Sequence, residues 1–113
     1  MSEIIPPQAT RAIDLVSMQA SAERACGLMK VMANRDRLLL LCQISQSEKT
    51  VGELEASLGI RQPTLSQQLT VLRDEGLVNT RREGKYIYYS MASQPALAVM
   101  QVLYQQFCAK ETP

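Results

Sequence analysis

Three thiols and one uncharged polar helix face are the residues of this chain whose types and spacing could do chemistry. Cys26, Cys42 and Cys108 stand 16 and 66 positions apart, and no two form a CxxC pair. That leaves little room for a structural zinc or a thioredoxin-like redox motif. The 113 residues include no His, which removes His-based zinc sites, Ser-His-Asp and Cys-His catalysis, and an imidazole general base. What remains for a thiol is oxidation, sulfur transfer or plain packing. Packing is the commonest use of a free cysteine, as a small buried hydrophobe. Cys26, between Ala25 and Leu28 in an apolar helical pattern, fits that use. No Lys or Arg flanks Cys42, and Cys108 has Lys110 nearby to favour the thiolate.

The second set of residues is polar and uncharged. If Leu65, Leu69 and Leu72 face inward on a helix, the opposite face carries Thr64, Ser66, Gln67 and Thr70, with Gln62 and Gln68 toward its edges. Gln pairs well with adenine, and Ser or Thr is permissive, so this face suits base edges in a major groove. Taken alone, a polar helix face is as readily a merely solvated one. Arg61, Arg73, Arg81, Arg82 and Lys85 surround it. Residues 61–113 carry a net charge of +2 and residues 1–60 a net −1, so the overall +1 conceals a local basic rim fit for phosphates.

These side chains need elements to hold them. Residues 1–8, with Pro6 and Pro7, read as a flexible arm. The apolar positions Ile13, Val16, Met18, Ala22, Ala25, Leu28, Met29 and Met32 recur at helical spacing, predicting one helix, or two broken near Ala20-Ser21. A further helix is expected over Asn34–Ile44, capped by Asn34, with Leu38, Leu41 and Cys42 on one face. Thr50-Val51-Gly52-Glu53 is a capping box that starts a short helix through Leu58, and Gly59 ends it. Pro63 suits the first position of the next helix, where its missing N–H costs nothing. Gly76 closes that helix. Two helices joined by the turn Gly59–Gln62 form a helix-turn-helix.

Next, Leu77–Arg82 and Lys85–Ser90 flank an expected Glu83-Gly84 turn, which predicts a β-hairpin. A final helix should begin near Ser93, with Pro95 in its first turn, and run to Cys108. The fold class is therefore mainly α with a small β-hairpin wing: a winged helix-turn-helix over residues 9–109, followed by a tail at 110–113. The final helix carries no charge from Ala96 to Cys108 and is apolar nearly all round. So small a chain cannot cover it, so the expectation is a homodimer through the N- and C-terminal helices. The apolar run Leu38–Cys42 is far short of the ~20 residues that cross a bilayer. The first residues lack a basic segment followed by an apolar one, so no membrane partner and a cytoplasmic location are expected.

Ala33-Asn34-Arg35-Asp36-Arg37-Leu38, Val51-Gly52-Glu53-Leu54, Gln62–Leu69, Leu72–Val78 and Arg81–Lys85, in that order, resemble the ArsR/SmtB family of dimeric repressors over nearly the whole chain. The resemblance implies double-stranded operator DNA as partner and loss of operator affinity when an inducer binds. The family's metal sites do not carry over. Where its thiolate site needs Cys-Val-Cys this chain reads Thr50-Val51-Gly52, and the C-terminal helix has no His and no acid before Glu111. Neither a metal nor any other cofactor is expected, and no catalytic residue.

A cysteine on the helix before the motif, another near the C-terminus and absent metal sites resemble one branch of that family. Its members sense reactive sulfur species and control operons for hydrogen sulfide detoxification. The resemblance implies that Cys42 and Cys108 become joined by a disulfide or polysulfide, releasing DNA, and it leaves Cys26 without a role. The expected DNA contacts are Gln62, Thr64, Ser66, Gln67, Gln68, Thr70, Arg81, Arg82 and Lys85. Three rivals stand beside this reading. They are a repressor whose inducer is a metal or metalloid held by intersubunit thiolates, a thiol sulfur-transfer protein, and a winged helix that binds protein.

Overall fold

A computed structural model describes residues 12–108. The expected arm at 1–8 and tail at 110–113, Lys110 and Glu111 included, lie outside the described residues. Helix α1 is Leu15–Met32 and starts where the Asp14 carboxylate accepts from the Ser17 backbone N–H at 3.0 Å and from its hydroxyl at 2.7 Å. It runs unbroken through Ala20-Ser21, so the two-helix alternative is wrong. Alanine is the best helix former and a single serine costs a helix little, so nothing there interrupts the backbone ladder.

Helix α2, Arg35–Ile44, is capped by Asn34, whose side-chain oxygen accepts from the Arg37 N–H. Its buried residues are Leu40, Leu41 and Ile44. Leu38 and Cys42 are half-buried and pack against the same core as Leu41. A two-residue strand, β1, follows at Lys49–Thr50. The capping box forms as expected: the Thr50 N–H donates to the Glu53 carboxylate and the Glu53 N–H to the Thr50 hydroxyl, starting α3 at Val51–Leu58. Gly59 closes it at φ 71°, a left-handed conformation that costs a glycine little.

Helix α4 is Thr64–Asp74, with Pro63 in the cap position just before it rather than first within it. Leu65, Leu69 and Leu72 are all buried, as the i, i+4, i+7 spacing requires. Strands β2, Val78–Glu83, and β3, Tyr86–Met91, make the wing. Glu83 pairs with Tyr86, so the two-residue turn is Gly84-Lys85, one position later than expected. A two-residue hairpin loop needs positive φ at its first central position, and Gly84 supplies it at φ 63°. Strand β1 pairs antiparallel with the other side of β3, giving the sheet order β1-β3-β2. This third strand went unpredicted because two residues carry no periodicity. Helix α5, Gln94–Phe107, starts at the Ser93 cap with Pro95 in its first turn and ends at Cys108.

This is a winged helix-turn-helix, with five helices and a three-stranded sheet among the described residues. Its core is built from Leu40, Leu41, Leu54, Leu65, Leu72 and Ala96, all fully buried. Among the described residues no polar side chain is buried and no helix is long and apolar enough to cross a membrane. The apolar surplus sits on the two terminal helices: Leu15, Val16, Met18 and Met29 are exposed on α1, and Val102, Tyr104 and Phe107 on α5. Cys26 is exposed on α1, so its expected burial is corrected for the single chain.

Candidate nucleic-acid interface and thiol groove

The turn from Gly59 to Pro63 presents α4 with its inner stripe locked in the core, which fixes what points outward. Gln67 lies nearly opposite the leucine stripe at about 100° per residue, and Ser66, Gln67 and Thr70 are all exposed. Thr64 is half-buried at the first turn. Gln62, exposed just before the helix, accepts with its side-chain oxygen from the Ser66 N–H at 3.1 Å. It thereby satisfies one of the four amides that a helix N-terminus leaves unpaired, and its own NH₂ group remains to donate. Gln68 is different. It is half-buried, and its oxygen accepts from Arg37 Nη1 of α2 at 2.7 Å.

The three wing cations also differ from one another. Arg81 donates through Nε and Nη2 to both oxygens of Glu48, each at 2.9 Å, and through Nη1 to Glu83 at 2.8 Å. Its guanidinium lies 4.5 Å from the centre of the Tyr88 ring. The bidentate hydrogen bonds from Arg81 hold the Glu48 carboxyl below its ordinary pKa, and the two carboxylates raise that of Arg81. Arg81 therefore fastens the wing to the loop before β1, with its charge offset by two acids. Arg82 and Lys85 carry the unspent charge: both are exposed, and neither has an acid within ion-pair distance among the described residues. Lys85 Nζ sits 5.7 Å from the centre of the Tyr86 ring at the wing tip.

A second feature lies between α2 and α5. A cavity of about 980 Å³ opens there, walled by Leu38, Leu39, Met100, Leu103 and Phe107 among others, and both Cys42 and Cys108 line it. Cys42 is half-buried and Cys108 exposed, and both thiols are free. The 66 residues between them in sequence are folded so that both border one apolar space. Cys26, on α1, does not line it. Among the described residues no group of three or more His, Cys, Asp or Glu side chains could hold a metal ion.

Sequence reasoning missed Glu48 and Arg37. Each acts across more than thirty positions, Glu48 on Arg81 and Arg37 on Gln68, and no local pattern signals a partner at that distance.

The model of "Bacterial regulatory protein, arsR family" matches residues 34–80, from the α2 cap into the first wing strand. The "Biofilm growth-associated repressor" of Agrobacterium fabrum is 50% identical over 99 residues, covering 88% of this chain and 85% of that protein. The crystal structure of the transcriptional repressor BigR from Xylella fastidiosa superposes with a TM-score of 0.82 at 42% identity, covering 86% of this chain and 99% of that one. The solution structure of a homodimeric winged helix-turn-helix DNA-binding domain from Mycobacterium bovis has a TM-score of 0.66 at 27% identity, covering 91% and 98%.

Proposed function

The chain belongs to the arsR family of bacterial regulatory proteins, and from that membership and the geometry above we propose that it is a homodimeric, thiol-controlled repressor of transcription. It holds operator DNA while Cys42 and Cys108 are reduced and lets go when they are linked. The genes it governs belong to hydrogen sulfide detoxification, in keeping with the sulfur-sensing branch that its cysteines resemble. It acts in the cytoplasm and catalyses no reaction.

Helix α4 enters the major groove with Ser66, Gln67 and Thr70 toward the base edges, Thr64 and the Gln62 amide beside them. Arg82 and Lys85 on the wing neutralise phosphates, and Arg81 sets the wing's position. Two copies are needed, because the reading helices must stand ~34 Å apart to enter successive grooves. The apolar residues left exposed on α1 and α5 would be covered by the second copy, and the Mycobacterium bovis relative is described as homodimeric.

The observation that carries the switch is the shared groove of Cys42 and Cys108. A hydropersulfide donor R–S–SH transfers its outer sulfur to one thiolate, giving Cys–S–SH and releasing RSH. The other thiolate then attacks the cysteine's own sulfur, closing the Cys–S–S–Cys bond and expelling HS⁻. Two thiols and one R–S–SH thus become one disulfide, one RSH and one H₂S. The oxidant is the donor's sulfane sulfur. When donor has placed a persulfide on each cysteine, the terminal sulfur of one attacks the cysteine sulfur of the other, closing a Cys–S–S–S–Cys trisulfide and expelling HS⁻.

Gel-shift titration of a selected operator duplex, with and without a polysulfide donor, tests this reading. Cys42→Ser and Cys108→Ser should stay bound in its presence, and Cys26→Ser should respond like the parent. Equal affinity of the reduced and treated parent would defeat the switch. Binding of no duplex above random sequence would defeat the DNA reading itself.

A further inference from the structure

The hydrogen-bonded junction at Arg37 has no part in the function proposed so far. Arg37 is half-buried on α2 and reaches two other elements at once. Its Nε donates to the carbonyl of Val31 in the last turn of α1 at 2.6 Å, and its Nη1 donates to the side-chain oxygen of Gln68 on α4 at 2.7 Å. The α1 carbonyl belongs to the final turn of a helix, where carbonyls lack an intrahelical partner or sit at the ladder's end. Gln68 lies in the middle of α4, on the flank between the buried leucines and the exposed Gln67. The bond to Gln68 is no chain-local accident, since Gln68 is 31 positions away from Arg37.

We infer that the Arg37–Gln68 bond positions the reading helix against α1 and α2, and that Gln68 is a positioning residue rather than a reader of bases. Three lines support this. A planar guanidinium presents its donors in a fixed fork, so two short bonds to two elements fix their relative angle, which a lysine ammonium could not do. The Gln68 oxygen is directed at Arg37 on α2, and glutamine selects adenine only when its oxygen and its NH₂ face the base edge together. Finally, Arg37 stands on the helix that also bears Cys42, and α1 carries exposed apolar residues proposed to face the second copy. One side chain thus joins the thiol helix, the dimer helix and the reading helix. The inference rests on the DNA-binding reading and would fall with it.

The test uses the full chain and a duplex selected from a random-sequence library by the parent. Failure of the parent to select any duplex would overturn the DNA reading, and the remaining outcomes address this inference alone. Arg37→Lys, Gln68→Ala and the double variant are compared for affinity, salt dependence and the sequence each selects. Each single variant should lose on the order of tenfold in affinity, and the double variant no more than Arg37→Lys alone, because Gln68→Ala removes a bond that Arg37→Lys has already broken. The salt slope should fall, since a misaligned dimer meets fewer phosphates, which a mere loss of stability would not cause. The selected sequence should be unchanged for Gln68→Ala but altered for Gln67→Ala. Additive losses would overturn the inference, as would a base preference that changes with Gln68. If Arg37→Lys does not fold, Gln68→Ala decides: lower affinity with the parent's base preference upholds it, and unchanged affinity or changed preference overturns it.

Discussion

Linking Cys42 to Cys108 should make the protein more stable and worse at holding DNA at the same time. The bond would close a loop of 66 residues, which stabilises the fold by about 4 kcal/mol through the entropy it removes from the unfolded chain, if the bridge is unstrained. In a domain of this size that raises the thermal midpoint by on the order of 15 °C. Cys108 ends α5, where its N–H donates to the Tyr104 carbonyl at 2.8 Å, and Cys42 is held half-buried in α2. Drawing the two sulfurs together therefore moves the last turn of α5, beside the exposed Val102 and Tyr104 through which the second copy is proposed to dock. A strain of about 3 kcal/mol in the DNA-bound pose would leave the linked fold stable, yet cost more than a hundredfold in affinity.

Linkage makes that figure checkable by an independent route. If linking weakens DNA binding by a hundredfold per protomer, DNA must oppose linking by the same factor. The midpoint potential of the pair should then rise by about 60 mV when the operator is saturating, because tenfold corresponds to about 30 mV for a two-electron couple. The assay is a redox titration of the Cys42–Cys108 disulfide by thiol trapping and mass spectrometry, with and without operator, on a Cys26→Ser background. Identical midpoints in the two titrations, or a linked form with undiminished operator affinity, would refute the mechanism whatever the stability change.

The remaining expectations concern the wing, the dimer and the scaffold. Arg82→Ala and Lys85→Ala should each weaken binding about equally for all sequences and flatten the salt dependence by about one phosphate, measured by titrating affinity against salt. Val16→Glu on α1 and Val102→Glu on α5 place charge on faces now exposed and apolar, and sedimentation equilibrium should show monomers. Leu69→Ala removes a buried side chain of the reading helix and should cost about 3–5 kcal/mol in denaturant unfolding. The Asp14 and Glu48 carboxyls are both held below their ordinary values, by hydrogen bonds from Ser17 and Arg81 respectively. Their contribution is complete above the unfolded carboxylate range and is lost as pH falls through the lowered folded values. Acid unfolding of Glu48→Gln should accordingly lack part of the parent's pH dependence.

Local chemistry made most of the scaffold legible from the residues alone. The Thr50–Glu53 box, the glycines at 59 and 76, the leucine stripe of α4 and the Ser93 cap act between neighbours in sequence, so pattern suffices to find them. The exposed Ser66, Gln67 and Thr70 follow from the same periodicity once the leucines point inward. The block order from Ala33 to Lys85 resembled the right family for the same reason, because short spacings survive in a linear reading.

What the chain could not declare by itself is everything that depends on two distant segments meeting. Strand β1 exists only because β3 offers it an edge, and Cys26 is exposed while α1 meets the core through Leu28, Val31 and Met32. Arg81 reads in sequence as one more wing cation, yet Glu48 and Glu83 occupy it; Gln68 reads as one more polar contact, yet Arg37 claims it. Helical and strand periodicities fix which way a side chain points, because they arise from backbone geometry within a few residues. Which partner awaits it there is decided by tertiary packing, where hydrogen bonds and charges meet across thirty or sixty positions that no local pattern spans.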